Sequence, residues 1–548
     1  MKKKNIIIII VCVAAIALAA AVIVNLIPDS GKTTDVADYG TTSLTDDQEE
    51  IQELFRETYD VDNQQMIADN LEEKKAADEY TADNMLIEYN PFGTNTTSLY
   101  VYFESEDAVS VEYTVHVDDD SIDDFTATAY QDSEYQMEHE FQVLGLIPDM
   151  ENTITFTLTS EDGTVTTRET TYEMGSLYGD EEICLEVEVT DAEGAQEVSD
   201  GLYVVMGNDS TALDFMYYYD ANGVLRGEIP IIGYRSHRLL FDEDEGVMYY
   251  SISTSKLAEV NRLGQVTDVY DLGDYNLHHD YVFDDDGNIL ILGSDTTSET
   301  VEDLVLCIDR ETGEVEELAD LGDFFSDIKD RAVKDEDDED GLDWLHVNTI
   351  QWVGEDDAVI LSSRETSTII KLSNIYDAPT VDYIIGDEEY WKDTDEENLL
   401  LSKVGDFTIQ GGQHTVTYVE DDSLEEGQYY LYMFNNNIGI SNSNPDFDWS
   451  AIGLTNSAAK AGDNSYYYEY LVDEDEGTFE LVDSFAVPYS GYVSSVQNLD
   501  GETVVDSGLP GSFAVYDEDH NELIRYTMEV ERFIYRVYKY DFNGYYFR

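Results

Sequence analysis

The 548-residue sequence predicts an all-β protein: a six-bladed β-propeller preceded by a small N-terminal β-sandwich, with an N-terminal transmembrane helix. Three observations predict it. Short runs rich in Val, Ile, Thr and Tyr fill the chain, with 41 Tyr, 20 Phe and only 8 Pro, a composition that suits pleated strands. From about Gly201 a unit recurs in which an aromatic or aliphatic strand, an Asp/Asn/Gly turn and a second strand follow one another. One apolar stretch, the 19 residues from Ile6 to Val24, has the length of a membrane span.

That stretch follows Lys2, Lys3 and Lys4, so the positive flank stays in the cytoplasm and the remainder goes outside. A cleaved signal peptide is the alternative, because Ala19 to Ala21 are small; the continuation through Val22 to Val24 favours an uncleaved anchor over residues 1–28. The expected location is therefore the cell membrane, single-pass with the body outside, or secretion if the segment is cleaved. Residues 29–88 read as a polar linker and a helical spacer. Ile51, Leu54 and Phe55 recur at helical spacing, and Thr45 caps the segment ahead of Gln48. Residues 89–178 alternate: Leu99, Val101 and Phe103 on one face, then Val109, Val111, Tyr113 and Val115. Roughly seven short strands there predict a sandwich of immunoglobulin or fibronectin type.

Residues 179–548 hold the repeated unit, visible at Tyr219-Asp-Ala-Asn-Gly-Val, Val260-Asn-Arg-Leu-Gly, Ile308-Asp-Arg-Glu-Thr-Gly, Leu471-Val-Asp-Glu-Asp-Glu-Gly and Val515-Tyr-Asp-Glu-Asp-His-Asn. The spacing accommodates about six four-stranded blades. The acidic turns Asp284-Asp-Asp-Gly, Asp473-Glu-Asp-Glu-Gly and Asp335-Glu-Asp-Asp-Glu-Asp-Gly do not complete the EF-hand pattern and read as solvated hairpin turns.

The chain carries 121 Asp plus Glu against 27 Lys plus Arg, a formal net charge of −94. Such a field repels nucleic acid and anionic membrane surfaces. Cysteine is confined to Cys12, Cys184 and Cys307, so the body can form one disulfide at most; no Cys-x-x-Cys and no zinc-type spacing occur, and neither a metal nor a cofactor is expected.

Against this acidic background three segments stand out: Asp343-Trp-Leu-His-Val-Asn, Ser362-Ser-Arg-Glu-Thr-Ser and Gly411-Gly-Gln-His-Thr. Imidazole can act as a nucleophile or move a proton near neutral pH, and guanidinium matches sulfate or phosphate oxygens. Strand alternation puts His346 and Asn348 on one face and Val347 on the other. Arg364 follows one hairpin later, and His414 follows a Gly pair that allows close backbone approach. His278-His279 and His237 occupy comparable places in earlier units, so five of the eight His fall just before a strand. His116, His139 and His520 look incidental. Any one of these His alone reads more readily as a hydrogen-bonded structural residue, and Arg364 alone as a salt-bridge partner; their recurrence in phase is what points to a site.

With these segments the chain resembles the bacterial aryl-sulfate sulfotransferase family over nearly the whole body, most specifically in Asp343-Trp-Leu-His-Val-Asn, in Ser362-Ser-Arg and in Gln413-His-Thr. The resemblance implies a ping-pong transfer of a sulfuryl group from an aryl sulfate donor to a phenol acceptor, without the nucleotide sulfate PAPS. It implies His414 as nucleophile and His346 and Arg364 as sulfuryl-binding groups. A further His is assigned as His279, with Asn348 and His278 as substrate-binding neighbours; alternation alone leaves His278 and His279 undecided. Relatives suggest a homodimer. The alternatives are a non-catalytic extracellular binding propeller and a sulfate-ester hydrolase using the same His and Arg.

Overall fold

A computed structural model describes residues 45–548 apart from 180, 197, 208–212, 335–340, 456 and 458–462. The expected anchor and the linker up to residue 44 lie outside the described residues, as do Cys12 and most of the acidic turn beginning at Asp335. Among the described residues no helix is long and apolar enough to cross a membrane.

Two helices open the described chain, α1 (Asp46–Thr58) and α2 (Val61–Ala77). The capping box between Thr45 and Gln48 forms as the sequence reading anticipates. The helical run breaks at Tyr59 because Asp60 accepts from Asn63 N and starts a second helix. Neither helix stands clear of the body as a spacer. Phe55 is buried against Phe215 and Tyr178, Tyr59 Oη donates to Pro230 O at 2.6 Å, and Gln64 receives Val266 N at 3.1 Å.

The next body is built on one long strand, Leu99–His116. Its first part pairs with Leu86–Tyr89 and Gln136–Val143, its second with Phe125–Thr128 and Glu151–Ser160, and Val165–Glu173 completes the set. The two short strands expected around Leu99 and Val109 are therefore one. The pairing slips between Glu104 and Val109 without a turn residue to end the strand, so the chain bends and serves two half-sheets. Arg226, fully buried, ties this body to the following sheet by bonding Asp220 Oδ2 at 2.7 Å and Asp123 O at 2.6 Å.

From Glu186 onward the described strands form six consecutive sheets of four or five strands. Their first strands are Val537–Tyr540 (completing Leu202–Met206 of the first sheet), Leu240–Asp242, Tyr275–Phe283, Val347–Val353, His414–Val419 and Ser495–Leu499. Hydrogen bonds link these strands, or the residues leading into them, in a circuit that returns to its start. Leu239 N donates to Tyr540 Oη, Tyr281 Oη to Arg238 O, Ile350 N to Asp280 Oδ2 and Asn348 Nδ2 to Gln413 O. Val496 N then donates to Thr415 Oγ1, and Ser495 Oγ exchanges bonds with Val537 N and O. The outer edge is interlocked as well, since Glu186–Val189 pairs with Glu522–Thr527 of the sixth sheet.

The hairpin turns are satisfied by their own chain. Asp284 accepts from Asn288, and Asp473 accepts from Glu476 N. Cys184 and Cys307 are both free thiols.

Docking of α1 makes Phe55 a stability residue. Phe55→Ala is expected to cost about 3–5 kcal/mol, the range for a deleted core aromatic, and to lower the midpoint of thermal unfolding. An unchanged midpoint would mean that the helix contributes no packing.

Candidate active site

The first strands of the third, fourth and fifth sheets are all irregular where they face the centre. Pairing slips between Leu277 and Tyr281, between Val347 and Thr349, and between His414 and Thr417. Non-glycine residues take positive φ at the same places: His279 (54°), His346 (51°) and Thr415 (50°). For a β-branched residue such as Thr415 this is a rare conformation. Each such residue stores about 1–3 kcal/mol of strain, tolerated where surrounding contacts over-determine it. Bulges of this kind re-aim side chains. Gly412 beside them has φ +60°, and a Cβ there would stand 2.3 Å from Ile438 Cγ2.

Re-aiming explains why strand alternation fails at His278-His279. Both residues reach the same carboxylate. His279 Nε2 lies 3.0 Å from Glu302 Oε2, and His278 Nδ1 lies 3.3 Å from Glu302 Oε1. His279 is the buried one, its Nδ1 bonded to Tyr535 Oη at 2.8 Å and its ring 4.6 Å from that of His346. His278 is half-buried and bonds Ser294 Oγ at 2.6 Å.

His346 Nδ1 sits between two carboxylates, 2.5 Å from Asp343 Oδ2 and 2.7 Å from Glu302 Oε2. Burial and the Arg364 charge favour its neutral form, but Asp343 and Glu302 outweigh them and raise its pKa to about 10. Burial alone would raise the Glu302 pKa, yet the His346 charge beside it holds that carboxyl well below its ordinary range. His279 goes the other way. Burial lowers it, with Glu302 opposing and His346 assisting, to about 3.

His414 is neutral for the same first reason. Burial pushes its pKa well below the usual value, the bond to Asn436 opposes this, and His279, His346 and Arg364 add to the depression. Its Nδ1 faces two acceptors, Gly412 O at 3.0 Å and Asn436 Oδ1 at 2.8 Å. The orientation of Asn436 is fixed because its Nδ2 donates to Ser490 O and Val493 O. Nδ1 therefore carries the hydrogen, and Nε2 keeps an open lone pair.

Arg364 donates from Nε and Nη2 to Glu365 Oε1 at 3.1 and 2.5 Å, and Nη2 lies 3.6 Å from Asp343 Oδ2. Glu365 is held in turn by Ser441 and Ser443. The cationic groups are thus set among carboxylates, and the site is a tightly ordered set of dipoles rather than a bare positive pocket. Asn348 is buried and its Nδ2 donates to Gln413 O at 2.8 Å, which fixes the backbone immediately before His414. His237 is buried, its ring 5.6 Å from Tyr535 and 6.4 Å from His279. Of the other His, His139 stacks on Phe103, His116 meets Asp124 and His520 meets Asp483, all away from this cluster.

His346, Arg364, His279 and His414 come together, with His278 and Asn348 at the margin. Sequence reasoning missed Glu302, Asn436 and Tyr535 and gave Asp343 no role. Asp343 stands in the Asp-Trp-Leu-His-Val-Asn segment, three residues before His346, where its meaning was open to view. Asn436 lies in an Asn435-Asn-Asn437 run closing a strand, a weak signal. Glu302 is one acidic residue among 121 and Tyr535 one Tyr among 41, and nothing local marks them.

The sequence pattern of a family described as arylsulfotransferase (ASST) matches residues 187–546, and that of an arylsulfotransferase Ig-like domain matches residues 86–175. No curated protein matches the chain. Among solved structures it is similar to a putative 6-phosphogluconolactonase from Bacteroides uniformis, at 11% identity and TM-score 0.34, covering 79% of this chain and 100% of that one. A periplasmic gluconolactonase from Pseudomonas aeruginosa is similar at 8% identity and TM-score 0.33, covering 79% and 99%. An auxiliary nutrient binding protein from Bacteroides thetaiotaomicron is similar at 9% identity and TM-score 0.30, covering 82% and 99%. Likeness this remote says nothing of chemistry.

The Asn436 contact can be tested without turnover. Asn436→Asp places a carboxylate on His414 Nδ1, so the His414 pKa is expected to rise, and ¹⁵N NMR of labelled imidazoles would show protonation beginning at higher pH than in the parent. A titration that does not move would exclude Asn436 as the partner.

Proposed function

The chain belongs to the arylsulfotransferase family, and on that premise we propose that it moves a sulfuryl group from an aryl sulfate to a phenol in two half-reactions through a sulfohistidine at His414. Family membership implies sulfuryl transfer independent of PAPS, with aryl sulfates and phenols as partners. We read the six sheets as blades of a six-bladed propeller catalytic domain over residues 179–548, a reading supported by the closed circuit of hydrogen bonds between first strands. The body works outside the cytoplasm, behind the N-terminal apolar run.

One observation carries the assignment: of two buried imidazoles, His346 has its Nδ1 between the carboxylates of Asp343 and Glu302, which favour its charged form, while His414 has its Nδ1 on the neutral acceptors Gly412 O and Asn436 Oδ1, which leaves Nε2 open. A neutral imidazole is a competent nucleophile that needs no metal. In the first half-reaction the Nε2 lone pair attacks sulfur and the bond to the aryl oxygen breaks. The leaving oxygen takes a proton from His346. The sulfated ring bears a positive charge, which the Nδ1–H bonds to Gly412 O and Asn436 Oδ1 spread. In the second half-reaction His346 takes the proton of an incoming phenol, that oxygen attacks sulfur, and the N–S bond breaks to restore neutral His414.

The magnitudes fit. A phenol titrates near about 10, and His346 is raised to about 10, so the proton moves in either direction with little free-energy change. Arg364 supplies a guanidinium for the sulfuryl oxygens, whose charge in such transfers is met mainly by positioned electrostatics.

The direct test is mass spectrometry of protein quenched with an aryl sulfate alone. A sulfuryl adduct on the peptide containing His414 is expected, and none on the His414→Ala protein. Phenol release should depend on added acceptor; release into water alone would make the protein a sulfatase, and no release a binding protein. His346→Asn is expected to lower kcat about 10²–10⁴-fold, the range for a lost general acid.

The pH profile tests the assignment of the acid. His346 is protonated below its raised pKa, so transfer should persist at alkaline pH and fall as pH passes about 10. Asp343→Asn removes one of the charges that raise it, so the alkaline limb should move to lower pH. A limb that stays in place would rule out His346 as the proton donor.

A further inference from the structure

We propose that His279, Glu302 and His346 also form a binding site for one divalent transition-metal ion of the zinc type, and that the bound ion switches the transfer site off. The ligand atoms of the three side chains all lie within 4.8 Å of one another. Glu302 Oε2 is 3.0 Å from His279 Nε2 and 2.7 Å from His346 Nδ1. Zinc holds such atoms at about 2.0–2.2 Å, which separates neighbouring ligands by slightly more than these contacts, so small side-chain rotations admit the ion.

The donor set chooses the metal. Two imidazoles and one carboxylate suit zinc and its transition-metal neighbours, whereas calcium and magnesium want oxygen throughout. The supports around the ligands are in place. His279 bonds Tyr535 Oη through its other nitrogen, Glu302 N donates to Ser294 Oγ at 2.6 Å, and Asp343 stands beside His346 as a further carboxylate. Partners of this kind orient metal-binding histidines. The electrostatic setting favours a cation as well. A chain of formal charge −94 concentrates counter-cations at its surface while repelling sulfate esters.

On binding, coordinate bonds form from His279 Nε2, His346 Nδ1 and a Glu302 oxygen. The Nδ1 proton of His346 leaves to solvent, the one hydrogen of neutral His279 sits on Nδ1 toward Tyr535 Oη so that Nε2 offers its lone pair, and no electron is transferred. A fourth position stays open to water. With Nδ1 on the metal, His346 is a neutral ligand in place of the imidazolium that gives the aryl oxygen its proton. Occupancy requires no sulfuryl chemistry; the effect on turnover rests on the proposed function.

The experiment titrates chelator-stripped full-length protein with zinc chloride by calorimetry, with excess calcium present to occupy surface carboxylates. The parent should take up one equivalent at a saturable site, and cobalt chloride should give visible bands of a low-coordinate ion. Glu302→Gln should weaken zinc uptake at least tenfold, and His279→Gln should do the same, with thermal unfolding confirming that both variants fold. Absence of a saturable site, or equal uptake in parent and both variants, overturns the site. In an acceptor-dependent assay zinc should abolish turnover at one equivalent and a chelator should restore it; full turnover with zinc bound overturns the switch. Uptake by the named ligands in a protein that never turns over aryl sulfate would sustain the site and refute the proposed function instead.

Discussion

The short strand Val537–Tyr540 is the piece of backbone on which the remaining structure depends. It completes the first sheet beside Leu202–Met206 and exchanges bonds with Ser495 of the sixth. Without it the circuit of first strands is open. The pairing closes a loop of more than three hundred residues, but loop entropy grows slowly, by about 0.6 kcal/mol per doubling of length. Burial of a side chain such as Val537 returns about 1.5–3 kcal/mol, so a strand of four residues suffices. The residues just before it reach the site: Tyr535 bonds His279, and Arg536 bonds Asp280 and the carbonyl of His237. The segment that closes the fold therefore also fixes the His279 side of the site.

Within that frame the chemistry is set by which imidazoles receive a carboxylate. His346 and His414 are equally buried and both lose hydration, yet two carboxylates touch His346 and a neutral amide touches His414. Desolvation acts alike on both, so the partners decide the protonation state. His279 shows the intermediate case: one carboxylate at 3.0 Å does not overcome burial next to a charged His346. An acidic protein can thus hold cationic groups for an anionic substrate only by pairing each of them closely, as Arg364 is with Glu365 and Arg238 with Asp280.

How much of this was legible in the sequence varied with the range of the information. Hairpin turns such as Asp284 to Asn288 are local, and their chemistry can be read directly. His346, Arg364 and His414 could be found because cationic side chains and imidazoles are rare here and these three are flanked by apolar residues. The helices near Phe55 and Leu71 were legible as helices, but their docking was not, since an amphipathic pattern does not name its partner. Leu99–His116 passed for two strands because the solvent-facing stretch from Glu104 to Ala108 interrupts an alternation that keeps the same phase on both sides. A different failure occurred at His278-His279, where positive φ at His279 cancels the rule that neighbours face opposite ways. Glu302 reaches the site from a loop between strands, and its meaning exists only in three dimensions.

Glu302 also limits how the site can be taken apart. Its two oxygens serve His278, His279 and His346 at once, while its backbone N–H donates to Ser294 Oγ, which itself bonds His278. Replacing any one of these histidines redistributes the remaining bonds among the others. Substitutions of groups that share a partner in this way are not additive, with interaction terms of about 0.5–3 kcal/mol. One carboxylate is therefore the hub through which the three imidazoles are coupled, and a change at any of them alters the setting of the other two.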